Sequence, residues 1–129
     1  AERLGLDVAA PEAALAGPEL GRWTGLTLEE VAATDGEGLT AWLSDPDATP
    51  QGRVSLAAMA TRVGQLLDTR EWPSAGAVLI VTPFVARAAL VHALGVPASA
   101  LLRADVGPLT RVTISRHAGR WRLTGLHPA

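Results

Sequence analysis

A chain of 129 residues and 13.4 kDa has the size of one domain. With 48% hydrophobic and 19% charged residues it is not intrinsically disordered, and with no cysteine it has no disulfide, thiolate metal site or cysteine nucleophile. A net charge of −2 and a pI near 5.9 argue against a general nucleic-acid binder, which shows a basic excess. Aromatic residues are 4%, so a mainly aliphatic core is expected. Every basic residue is arginine, and lysine and asparagine do not occur, a usage typical of high-GC genomes such as those of actinobacteria. The longest apolar run, 75–81, is far short of the ~20 residues of a membrane-spanning helix. Residues 1–4 lack the basic-then-apolar order of a signal peptide, so a cytoplasmic location is expected.

Residues 1–26, rich in Gly, Pro and Ala, read as the end of a helix followed by loops, with a short strand near 13–16. Thr27 to Glu30 spell a capping box, so a short helix runs to Ala33. Gly36 and Gly38 break it, and a second short helix covers Leu39–Leu43 before Asp45-Pro46. The clearest helix spans Ser55–Thr69, where Leu56, Met59, Ala60, Val63, Leu66 and Leu67 recur at i, i+3, i+4 and i+7. The apolar, β-branched run Ala77–Thr82 predicts a strand buried on both faces. Pro83 suits the first turn of a helix capped by Thr82 and ending at Gly95. Alternation over Thr110–Ser115 and Arg120–Leu126, around Ala118-Gly119, predicts a terminal hairpin. Val63, Leu66 and Leu79 are the expected core.

Several stretches resemble one family in order and spacing. Gly21-Arg22-Trp23-Thr24-Gly25-Leu26-Thr27 resembles the "G-x-W-E-G-x-T" of the histidine phosphatases, the phosphoglycerate-mutase-like superfamily. Trp42 with Pro46 is similar to the "W…dP" that follows it, and 50–55 stands at the usual "P-x-G-G-E-S" before a long helix with an arginine, here Arg62. Val78–Thr82 and Arg87–Leu90 bracket a normal "V-x-V-T-H-G-G-V-I-R-A-L", and Gly119-Arg120-Trp121 matches the terminal "g-x-W". The resemblance covers nearly the whole chain. It implies an α/β fold, a truncated phosphoglycerate-mutase-like three-layer sandwich with a C-terminal β-hairpin, in which residues 1–129 form one domain without the N-terminal catalytic segment.

That family needs a cationic phosphate pocket, a histidine nucleophile and a carboxylic acid that protonates the leaving oxygen. The resemblance puts the nucleophile and its arginines upstream of Ala1. Leu15-Ala16-Gly17 stands at the place of an acid-bearing "L-R-E", Val54 at the glutamate of "G-G-E-S", and Pro83 where the second histidine follows Thr82. The expected catalytic set is therefore empty.

Trp23, Arg53, Ser55, Thr82 and Arg87 remain as candidate ligand-binding residues at the old pocket mouth, each with a plainer reading. The arginines are more often solvated or paired, Ser55 is a helix cap, and Trp23 is equally a packing anchor. His92, among apolar helix residues, reads as a satisfied, partly buried side chain. No metal-ligand spacing and no Walker or Rossmann phosphate loop occur, so no metal or cofactor is expected.

The family's strand equivalent to Ala77–Thr82 is central, and its usual neighbours are not in this sequence. A stable protein must rearrange the sheet, dimerise through it, or bind a second polypeptide. The leading expectation is a degenerate phosphatase-like protein without phosphatase activity, acting through protein–protein or self-association. A remodelled pocket for a small, anionic molecule is the alternative, and a phosphomonoesterase half completed by a second chain is the third.

Overall fold

Each helix begins where the sequence supplies a partner for its first free N–H groups or fixes the chain with a proline. The computed structural model describes residues 12–18, 20–50, 52 and 54–129. Helix α1 (Leu28–Ser44) starts at Thr27, whose Oγ1 accepts from the Glu30 N–H at 3.1 Å. As the sequence predicts, this stretch is two short helices, which meet at a kink. The break falls at Asp35 (φ −148°, ψ 57°), whose Oδ1 accepts from the Gly38 N–H at 3.1 Å and recaps the second half.

Helix α2 (Leu56–Thr69) is capped by Ser55, whose Oγ accepts from the Ala58 N–H at 3.1 Å. Its expected stripe is real: Leu56, Met59, Val63 and Leu67 are buried. Leu66 sits at the margin, half-buried. Helix α3 (Pro83–Leu94) has its proline in the first turn and ends at Gly95 in the left-handed conformation. Thr82 holds the cap position through its backbone, but its hydroxyl makes no capping bond, contrary to the sequence expectation. Strands β1 (Arg111–His117) and β2 (Arg120–His127) form an antiparallel hairpin. Ala118 and Gly119 turn it with φ of 52° and 76°, as a primed two-residue turn requires, and a bulge falls between Thr113 and Ile114.

The core joins Trp23, Val31 and Trp42 to the α2 stripe, to Val85, Ala88 and Val91 of α3, and to Leu101 of a 3-10 turn over 98–103. The hairpin closes it from α3's side with Ile114 and Trp121. This is the mixed helix–strand architecture, with a terminal hairpin, that the resemblance implies.

Two expected strands are not strands. Residues 13–15 curl into a 3-10 turn; Ala-Ala-Leu carries no β-branched residue to favour the pleat. Residues 77–82 run without regular structure and without a ladder, because among the described residues the sheet consists of the hairpin alone. A strand is held by its neighbour's N–H and C=O groups, and among the described residues no strand lies alongside. Instead of being buried on both faces, Val78 is 91% and Ile80 82% exposed. Leu79, placed in the core by the sequence, is 40% exposed, and only Val81 packs against the core.

Candidate functional site

The loop before α1, the kinked end of α1 and the first turn of α3 meet through aromatic rings. Trp23 is 5% exposed and stands edge-on to Trp42, with centroids 5.9 Å apart and an 89° interplanar angle. Trp42 leans on Phe84 at 5.4 Å, and the Arg87 guanidinium lies 5.3 Å from the Phe84 ring centre. Such edge and cation–ring contacts favour these geometries beyond plain burial. Two donors in this row, Trp42 Nε1 and Arg87 Nε, are buried and have no hydrogen-bond partner among the described residues.

The structure therefore brings Trp23 and Arg87 into one row and leaves the other candidates apart from it. Ser55 spends its hydroxyl on its own helix. Thr82 is exposed and lies against Gly17, where a Cβ would come within 3.2 Å of its Oγ1. Arg53 lies outside the described residues. Two other arginines brace loops: Arg62 Nε donates to the Ala14 carbonyl at 3.0 Å and its Nη2 to Ala16, while Arg22 donates to the Pro50 carbonyl. A cavity of about 40 Å³ between the end of α1 and the 98–103 turn is lined by Leu43, Pro46, Leu56 and Leu101, among others, and by no titratable group. It holds room for a water or two, not for a phosphate ester.

Sequence reasoning saw His92 as satisfied but missed the cluster that satisfies it. Asp68 Oδ1 accepts from His92 Nε2–H and from Trp121 Nε1–H, both at 2.9 Å. Arg116 donates to the Asp68 carbonyl at 3.0 Å and lies over the Trp121 ring at 5.2 Å. The His92 hydrogen bond holds the Asp68 carboxyl below its ordinary value, helped by Trp121 and Arg116 against partial desolvation. Three elements thus converge on one carboxylate. The legible signal was Gly64, one helical turn before Asp68, where a Cβ would lie 2.6 Å from His92 Nδ1. Among the described residues, no group of three or more His, Cys, Asp or Glu side chains could hold a metal ion.

Comparison with known proteins places this geometry. The family model of the histidine phosphatase superfamily (branch 1) matches residues 1–127. The chain belongs to that superfamily. Among solved structures, native mycobacterial glucosyl-3-phosphoglycerate phosphatase is 27% identical with a TM-score of 0.75, over 99% of this chain and 69% of that one. The same enzyme complexed with VO3 is 25% identical with a TM-score of 0.76, over 99% and 68%. A protein described as mycobacterial hydrolase 1 is 27% identical with a TM-score of 0.77, over 99% and 67%. This chain thus spans about two thirds of the length of these relatives. No curated protein matches it. Among the described residues no helix is long and apolar enough to cross a membrane.

Proposed function

We propose that residues 1–129 form one histidine-phosphatase-like domain that does not transfer phosphoryl groups and works through association with another polypeptide, a second copy first of all. The observation that carries this reading is the 77–81 segment. Its outward residues Val78 and Ile80 are exposed, and among the described residues no ladder satisfies its backbone. Apolar surface and unpaired strand groups together template pairing with another chain. The places of the family's acid and second histidine support the loss of chemistry: Leu15-Ala16-Gly17, Val54 and Pro83 offer neither a carboxyl nor an imidazole.

Light scattering at micromolar concentration is expected to give about twice the 13.4 kDa monomer mass, or a larger heteromeric mass. Val78→Lys is expected to lower that mass, because a lysine ammonium is costly to bury unpaired. A stable wild-type monomer at all concentrations would remove the association reading.

A second reading rests on the two unpartnered donors beside Phe84. An oxygen-rich small anion would satisfy Arg87 Nε and Trp42 Nε1 once the ring row opens. Inorganic phosphate should then raise the melting temperature of the wild type and not of Arg87→Ala. No shift in either protein would dismiss it.

A further inference from the structure

The C-terminal hairpin carries a charge pattern that neither the fold nor the loss of chemistry accounts for. Residues 106–129 contain four arginines, two histidines and no acidic residue, whereas residues 1–50 hold ten acidic and two basic side chains. A chain of net charge −2 is therefore strongly polarised. Arg116 is turned inward to the end of α2. Arg111, Arg120 and Arg122 are exposed, and none of them is ion-paired among the described residues. The register sets them on the face away from the core: Arg111 opposite His127, Arg120 opposite His117, and Arg122 opposite Ser115. No acidic side chain faces any of the three arginines across the ladder, so this face is open to an outside acid.

The complementary surface is on the same molecule but on another element. Glu29, Glu30 and Glu37 of α1 are exposed and equally unpaired among the described residues. We infer that the outer face of the hairpin docks the acidic face of α1 on a second copy of this chain. The inference concerns a surface separate from 77–81 and specifies a second contact for the self-association proposed above. A nucleic acid or anionic membrane fits less well. The face presents no exposed Trp, Tyr or Phe for base stacking, and the net charge of −2 disfavours a polyanion. The contact is polar and solvated, so it is salt-sensitive, screened over ~8–10 Å at physiological ionic strength.

The test uses charge-reversed chains, with circular dichroism confirming that each folds. One variant carries R111E, R120E and R122E; the other carries E29R, E30R and E37R. In low salt the wild type is expected to show an average mass that falls as sodium chloride is raised to 0.5 M. Each variant alone is expected to lose that salt-sensitive part, and a 1:1 mixture of the two to regain it. Val78→Lys should leave the salt-sensitive part in place, which separates this contact from the 77–81 segment. If Val78→Lys has no effect on mass while the mixture still associates, the earlier reading falls and this one stands. A wild-type mass independent of salt, or a mixture no heavier than its components, overturns the inference. So does tighter retention of a 20-base-pair duplex or of phosphatidylserine vesicles by the wild type than by the R111E/R120E/R122E chain, without salt-sensitive self-association.

Discussion

Gly64→Ala sets two opposing effects against each other at one position. In a free helix the change is favourable by about 1 kcal/mol, because glycine is the more flexible residue in the unfolded chain. Here Gly64 is buried on α2, and the new Cβ would lie 2.6 Å from Nδ1 and 2.9 Å from Cε1 of His92. His92 is partly exposed and can swing away, but only by leaving Asp68 Oδ1, 2.9 Å from its Nε2. Losing a hydrogen bond to a charged group costs roughly 1.5–3 kcal/mol, and residual overpacking adds about 1–3 kcal/mol. The Asp68 side chain is half exposed, so the lower end applies to the bond. The expected net loss is about 1.5–3.5 kcal/mol, read as a fall of ~0.5–2 M in the urea midpoint at unchanged slope. Gly36→Ala, with nothing within 4 Å of its Cβ, is the control and should be neutral or slightly stabilising. If Gly64→Ala stabilises the protein as Gly36→Ala does, the contact between α2 and α3 at His92 is wrong.

Met59→Ala, at a side chain 2% exposed, is expected to cost about 2–5 kcal/mol in urea unfolding, and Leu66→Ala clearly less because Leu66 is half-buried; equal losses would misplace the stripe. Ser55→Ala removes the α2 cap and is expected to cost about 1 kcal/mol, with no change in slope. Asp68 has a depressed folded pKa, so its contribution is full above the ordinary carboxylate pKa and disappears as pH falls through the folded value. Asp68→Asn should therefore flatten the acid limb of a melting-temperature profile taken from pH 6 downward, and an unchanged limb would refute the carboxylate's role. The purified protein should hydrolyse p-nitrophenyl phosphate no faster than buffer; turnover near ~1 s⁻¹, the low end for ordinary enzymes, would mean a working phosphatase.

Local signals were legible where the chain settles its own structure. The Thr27 and Ser55 caps, the α2 stripe, Pro83 in the first turn of α3 and the Ala118-Gly119 turn all depend on residues within a few positions of each other. The 77–82 run was misread because β-branched, apolar composition reports suitability for a sheet, while pairing depends on a neighbour elsewhere. Asp35 was missed as a hinge because a recapping aspartate inside a helix looks like any other exposed acid until its φ is known. At the candidate site, Trp23 and Arg87 were named, but their connection runs through Trp42 and Phe84, contacts between segments that no spacing rule reveals. The Asp68–His92–Trp121 junction joins residues 24 and 53 positions apart, which is why only the histidine was noticed.

Amide hydrogen exchange at Val78–Val81, followed as protein concentration is raised, tests the association claim most directly. Unpaired, exposed amides exchange at nearly the unstructured rate, whereas amides in a ladder exchange only on opening. Protection at these positions is expected to rise in step with the mass measured by light scattering, and to be absent in Val78→Lys. Exchange that stays fast at every concentration, in particles heavier than a monomer, would show that the chain associates through some other surface.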